Sequence, residues 1–293
     1  MFKFNFQDKN DKKEDNIKDC DPKTEEKSWI ESEEIIPKNQ GDIVKKILAN
    51  CSHNSMQYNE ILLKYYTTED VLNVLRNNIV EKPVLNNSLS VINADQSHSD
   101  LISSVYEGGL KIWECTYDLL NYIDQQKINF KDKSVLDLGC GTGLIGIMSL
   151  IAGAYSCTFQ DYNPEILKYN TIPNVILNEG EYTNKSRFYS GDWSSFTDLL
   201  SSAQEKFNYI FTSETIYNVE NYEKLHNTFQ KLLKEDGIVY LAAKSYYFGV
   251  GGGISLFTDF LKKKNVFKYE LCWNCPEGLK REILKIQFIE FCY

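Results

Sequence analysis

The chain has no long apolar run. None of its 293 residues belongs to a stretch approaching the roughly 18 consecutive apolar positions of a membrane span. The segment after Met1 also lacks the apolar core and cleavage site of a secretory leader. No membrane contact is expected. Basic residues are in the minority: 32 Lys and Arg stand against 41 Asp and Glu, giving a net charge of −9. No basic stripe is visible, so a protein that holds nucleic acid through its phosphates is not expected. The acidity suits a basic protein partner, or simply a solvated surface. Cysteines number eight but follow no framework, which points to reduced thiols and to cytoplasmic, nuclear or nucleolar residence. Cys272-Trp273-Asn274-Cys275 has zinc-like spacing, yet it lacks a second pair, and His226 lies far upstream. A structural zinc needs four ligands, so no metal site is expected. No internal repeat is present.

Apolar residues are also sparse at the start. Residues 1–40 are mostly Asp, Glu, Lys and Asn, too few apolar groups to offset the entropy of ordering. Residues 1–95 read as a disordered to weakly helical acidic tail, 41–95 being marginally helical at best. Residues 96–293 read as the folded domain. There strand and helix signals alternate: a helix over 110–127, strands near 135–138, 155–160, 187–190, 209–212 and 238–244, and two final antiparallel neighbours over 266–273 and 283–291. Such alternation implies a mostly parallel sheet covered on both faces.

The most informative segment present is Val135-Leu136-Asp137-Leu138-Gly139-Cys140-Gly141-Thr142-Gly143. A short strand, a glycine turn and an apolar helix in that order form a nucleotide-binding loop. In open α/β sheets ligands sit at the carboxyl ends of strands. Asp137 to Gly143, Asp161, Asp192 and Glu214 all fall at such ends. Gly141-Thr142-Gly143-Leu144-Ile145-Gly146 also fits a dinucleotide fingerprint, with Asp161 twenty residues beyond Gly141. A pyrophosphate would be repelled by Asp137, however, and no hydride-transfer partner is evident. S-adenosyl-L-methionine carries no phosphate. Asp137 would favour its ammonium directly or through water, Gly139 and Gly141 would let the backbone approach it, and Asp161 would accept from both ribose hydroxyls. Trp193 would cover the adenine and Asp192 accept from its amine.

After the fourth strand stands Ser213-Glu214-Thr215-Ile216-Tyr217-Asn218, without the proline run of adenine amino methylation or the Pro-Cys of cytosine chemistry. Its Glu-x-x-Tyr resembles the signature of class I protein lysine methyltransferases. Taken with Tyr106-Glu107-Gly108-Gly109, Ile112-Trp113-Glu114-Cys115-Thr116, Phe159-Gln160-Asp161-Tyr162-Asn163, Thr171-Ile172-Pro173-Asn174-Val175 and Gly251-Gly252-Gly253, residues 98–293 resemble the eukaryotic protein-histidine methyltransferase family. The resemblance implies a class I, seven-stranded Rossmann-like α/β fold with helices on both faces. It implies a monomer that moves a methyl from S-adenosyl-L-methionine to the tele nitrogen of a histidine in a large-subunit ribosomal protein. Carried over by motif, cofactor contacts fall on Ile112, Trp113, Glu114, Cys115, Thr116, Gly139, Gln160, Asp161, Tyr162, Gly191, Asp192, Trp193 and Ser213.

Neutral imidazole is already nucleophilic near pH 7, its pKa being about 6.5. What it needs is a fixed tautomer. Glu214 is the candidate acceptor for the far N–H, Tyr217 a wall of the pocket, and Asn218 a hydrogen-bonding partner of ring or peptide. Two alternatives stand: a lysine acceptor, or a non-catalytic chaperone of a ribosomal protein.

Overall fold

The computed structural model describes residues 29–81, 89–97, 99, 101–102, 105–178, 181–275 and 278–289. In chain order the elements begin with β1 (Glu33–Glu34), α1 (Gly41–Asn50), the hairpin β2 (His53–Tyr58) and β3 (Ile61–Tyr66), α2 (Thr68–Glu81) and α3 (Leu89–Gln96). There follow α4 (Glu114–Gln126), β4 (Ser134–Leu138), α5 (Leu144–Ile151), β5 (Ser156–Asp161), α6 (Pro164–Ile166), α7 (Ile172–Leu177) and β6 (Ser186–Ser190). The chain continues through α8 (Trp193–Ser202), β7 (Phe207–Ser213), α9 (Tyr222–Leu232), β8 (Leu233–Lys244), α10 (Ile254–Lys264), β9 (Phe267–Asn274) and β10 (Arg281–Phe288).

The main sheet has the order β1-β6-β5-β4-β7-β8-β10-β9. Strands β6, β5, β4, β7 and β8 are parallel, and β10 and β9 are antiparallel neighbours. The seven expected strands are present, and β1 adds an eighth at the β6 edge. From β4 the chain winds outward through β5 and β6, then returns to place β7 on the other side of β4. That reversal makes the carboxyl ends of β4 and β7 the switch point where ligands bind.

Strand period places Val135 and Asp137 on one face and Leu136 and Leu138 on the other. The first face packs with α4 and α5 around Phe130, Phe159, Phe188 and Phe211. The second packs with α8, α9 and α10 around Phe196, Phe229 and Phe257. The stretch Leu144–Ile151 is apolar all round and buried almost throughout, because it is covered on both sides. Its outer cover includes Leu63 of β3.

That contact corrects the expectation for residues 41–95. They are neither a tail nor weakly helical: α1, the hairpin and α2 carry fully buried Ile47, Leu63, Val71 and Leu75. Ile61, Leu63 and Tyr65 alternate inward, as a half-buried strand should. The outer edge of β3 is satisfied by side chains from the helix beside it: Tyr66 N donates to Asn174 Oδ1 (2.9 Å), and Lys64 N to Asn178 Oδ1 (2.8 Å). Residues 1–28 and 82–88 of the expected tail lie outside the described residues, as do 290–291 of the last expected strand.

Candidate active site

The β4 turn is held from below. Asp137, on the α5 face, is 1% exposed, and its Oδ2 accepts from Gly146 N at 2.9 Å. Burial pushes its carboxyl up to about 8, with the Asp161 charge adding and the Gly146 bond opposing. It ties the glycine loop to the first turn of α5. It does not line the cavity, so a direct contact with the cofactor ammonium is corrected: strand period turns this side chain under the helix.

The loop itself faces a cavity that is also lined by Gly109, Asp161, Trp193 and Ser213. Gly141 is left-handed (φ 51°), and a Cβ there would lie 2.9 Å from Gly109 O. Its N–H donates to Asp161 Oδ2 at 2.9 Å, while Asp161 Oδ1 accepts from Asn163 N at 3.1 Å. Each oxygen thus keeps further acceptor capacity, and the residue lines the cavity. Burial pushes Asp161 up to about 6 against these bonds. Thr171, in a π turn over Leu167–Thr171, closes the loop by donating to Gly141 O at 2.6 Å.

Gln160, fully buried between strands, does not line the cavity. It is corrected from a contact to a brace: its Nε2 donates to Gly191 O (2.8 Å) and its Oε1 accepts from Trp193 Nε1 (2.9 Å). Trp193 therefore has a fixed indole edge, and it lines the cavity with Tyr162, Gly191 and Asp192. Asp192 is the N-cap of α8, accepting from Ser194 N at 3.0 Å, and it pairs with Lys224 at 2.6 Å. Trp29, which the sequence reading left in the tail, lines the same end.

At the other end stands α4, entered through Ile112 and Trp113. Both line the cavity, as do Gly139, Thr116 and Ser213, the last two hydroxyls 3.2 Å apart. Glu114 and Cys115 do not. Glu114 points to Lys244 (3.1 Å); burial raises its carboxyl, but its backbone bond and Lys244 outweigh this and hold it below the usual range. Cys115 is buried behind the helix start, where burial and then Glu214 push its thiol up. Both support the wall without touching the cavity, because adjacent helix positions point about 100° apart.

A second cavity opens beyond. Glu107, Trp113, Glu214 and Tyr217 line both spaces and form the neck between them. The far space is bordered by Lys244, Tyr247, Val250 and the exposed Tyr246 and Phe248. Glu214 is 8% exposed and has a left-handed backbone (φ 59°) fixed by its N–H to Ala242 O. Such a conformation is costly for a residue with a side chain and gathers at functional sites. Its Oε2 accepts from Tyr247 OH at 2.5 Å, and Lys244 Nζ lies 3.5 Å from its Oε1. Opposite, Tyr217 OH donates to Glu107. The loop carrying Glu107 is anchored by Asn163, whose Oδ1 accepts from Glu107 N and whose Nδ2 donates to Val105 O.

Asn218 lies outside both cavities and caps the following turn, accepting from Glu220 N at 3.0 Å. Its expected contact with ring or peptide is corrected to a capping role. Lys244, Tyr247 and Trp29 are the residues that sequence reasoning missed, whereas Glu107 belongs to a motif already singled out there. Among the described residues, no three His, Cys, Asp or Glu gather as a metal group. The donors and acceptors present fit the expected cofactor. Asp161 offers oxygens to a diol, Gly141 and Gly139 bring the backbone to the cavity wall without side chains, and indole surfaces stand at the far end.

Comparison with known proteins follows the same lines. A family described as "Lysine methyltransferase" matches residues 96–248, more than half of the chain. The histidine protein methyltransferase 1 homolog of Bos taurus is 45% identical, over 73% of this chain and 63% of its own length. The homolog of Dictyostelium discoideum is 45% identical over 64% of this chain and 60% of its own length. The chain thus spans somewhat over half the length of the curated relatives it matches. A solved methyltransferase complexed with SAH, SMU.776, aligns with a TM-score of 0.53 at 12% identity, over 80% of this chain and 55% of that one. At that identity the likeness concerns the fold.

Proposed function

The chain belongs to this lysine methyltransferase family, with histidine protein methyltransferases as its similar relatives, and on that premise we propose that it methylates a histidine ring nitrogen in a protein. The donor is S-adenosyl-L-methionine, which supplies an electrophilic methyl when bound. The observation that carries the reading is the neck: the cavity over the glycine loop meets an aromatic-rimmed one at Glu107, Trp113, Glu214 and Tyr217, which line both.

In this reading Asp161 takes the ribose hydroxyls, and Thr116, Ser213 and the loop backbone border the amino-acid end. Trp113 and Tyr217 exclude water from the neck, which strengthens every polar contact inside it. Glu214 accepts the N–H on the far side of the acceptor ring. That fixes the tautomer whose lone pair faces the cofactor, and it favours the positive ring that forms on methyl transfer until the N–H proton is released to solvent. Tyr247 and Lys244 hold Glu214 in place. The orienting contribution is of the kind that converts a loose encounter into a near-attack geometry.

The acceptor protein is a basic large-subunit ribosomal protein, and the methylated atom the tele nitrogen. The resemblance of the motifs and the net charge of −9 support this. The lysine reading draws on the family description and is separated by pH. An imidazole acceptor gives a rate that levels off above about pH 7, whereas an ammonium acceptor gains about tenfold per unit towards pH 10. The test is methyl transfer from labelled cofactor to purified large-subunit proteins, followed by hydrolysis and amino-acid analysis. Label in tele-methylhistidine is the expected result. Label in methyllysine replaces the acceptor, and absence of label with full cofactor binding refutes the proposal for these substrates.

A further inference from the structure

Residues 29–36 follow the β6 edge and lead back to the cavity over the glycine loop, which Trp29 lines. β1 pairs antiparallel with β6, and Ile35 N donates to Phe188 O at 2.7 Å. Ahead of β1 the chain leaves the sheet edge and runs over the β6–α8 turn. Asp192 N donates to Ile30 O at 2.8 Å, and Ser32 N to Ser195 Oγ at 2.9 Å. Gly191 lies so close that a Cβ would sit 2.6 Å from Glu31 O. This backbone contact, together with a φ of 99°, explains why the position holds glycine. The path ends on Trp29, whose indole lines the cavity. Lys224 Nζ sits 3.1 Å from the indole centroid while bonding Asp192. One ammonium thus joins the indole face to the carboxylate that caps α8, a cation–π contact strengthened by partial burial.

We infer that residues 29–36 are a strap that completes the cofactor pocket, with Trp29 as its outer aromatic wall at the adenine end. The inference rests on the proposed use of S-adenosyl-L-methionine. Three independent backbone contacts hold the strap, so Trp29 is presented rather than placed by chance. An aromatic wall on a purine is a stacking surface. The remaining walls at that end, Tyr162, Asp192 and Trp193, belong to the domain matched by the family. Trp29 comes from outside it, so cofactor affinity depends on a segment remote in sequence from the glycine loop.

The test is calorimetric binding of S-adenosylhomocysteine to the full chain and to Trp29→Ala, Trp29→Phe and Trp29→Leu, with steady-state kinetics on the acceptor protein. Trp29→Ala is expected to weaken binding about tenfold, close to 1.4 kcal/mol, and to raise the cofactor KM with kcat and acceptor KM unchanged. Trp29→Phe retains most of the affinity, while Trp29→Leu, which fills volume without a ring, does not. Equal affinity in all four chains overturns the strap. So does a fall in kcat with affinity retained. Should Trp29→Ala unfold, the Phe and Leu pair carries the same decision. Failure of the unaltered chain to bind refutes the cofactor itself, an outcome distinct from equal binding by all four.

Discussion

Asp137→Asn isolates the cost of ionising a carboxyl beneath the glycine loop. In the native chain burial pushes this group up to about 8 from an ordinary 3.8. The unfolded chain therefore releases the proton near pH 4, and the folded chain only near pH 8. A raised folded-state value contributes stability below the unfolded pKa, and this is lost as pH rises through the folded one. Between those limits the loss approaches 1.4 kcal/mol per pH unit. From pH 5 to 8 it amounts to at most about 4 kcal/mol, a large share of the 5–15 kcal/mol typical of a domain. Asparagine keeps the acceptor for Gly146 N and cannot ionise. Its variant should therefore gain on the native chain with every unit of pH, other titrating groups being common to both. Urea unfolding of the two chains at pH 5, 6, 7 and 8 reads the difference directly. A difference that stays flat over that span would refute the buried, unpaired state of Asp137. Below pH 7 the native carboxyl is already mostly neutral, so both chains should bind cofactor equally there.

Three further outcomes are expected. Glu214→Gln should lower kcat by about 100-fold, within the range of positioned acid–base groups, while calorimetry shows unchanged cofactor affinity; equal loss of both would move Glu214 into the cofactor site. Asp161 sits at about 6 through burial and must be ionised to accept a diol, so cofactor binding should weaken about tenfold per unit as pH falls below 6. Asp161→Asn should bind more weakly at pH 8 and lose that slope, as titration calorimetry at several pH values can check. Gly191→Ala places a Cβ against Glu31 O at a φ of 99°, so urea unfolding should show a loss of about 1–3 kcal/mol; an unchanged midpoint would mean that the strap gives way freely.

Much of the fold was legible because strand period and glycine turns are local. Leu136 and Leu138 against Val135 declare a strand buried on both faces, and Gly139 to Gly143 followed by an apolar run declares the turn into α5. The face of Asp137 was equally readable. It shares parity with Val135, so a side chain aimed under α5 follows from period alone. Asn218 before Val219-Glu220-Asn221 is likewise a cap signal that a functional motif overrode. The region 41–95 was not legible from composition. Its hairpin alternates over Ile61, Leu63 and Tyr65, but a two-stranded ribbon is marginal alone. Its stability comes from α5 and from Asn174 and Asn178, residues more than a hundred positions away. Trp29 was hidden for the same reason: nothing near it in sequence marks a wall that only β1 pairing creates.

The neck shows why the candidate carboxylate Glu214 could be found by motif while Lys244 and Tyr247 beside it could not. Glu214 ends β7, the central strand at the switch point, and its left-handed backbone is fixed by a bond to Ala242 O on β8. Strand order alone therefore brings β8's own end, Lys244, against it on the same face. Tyr247 follows three residues later and lies edge-on to Tyr217 at 6.3 Å between centroids. Glu107 arrives from before β4 on a loop tied down by Asn163 after β5. Four separate connections thus converge at one point, and the one that carries Lys244 and Tyr247 has no recognisable motif. The result is a narrow passage with two carboxylates, each hydrogen-bonded to a tyrosine, and one buried ammonium close to Glu214. An acceptor that gains positive charge as it reacts is stabilised there without a strong base. In the proposed reading a lysine, which must shed its proton before it can react, would instead be favoured in its unreactive charged form by the same carboxylates.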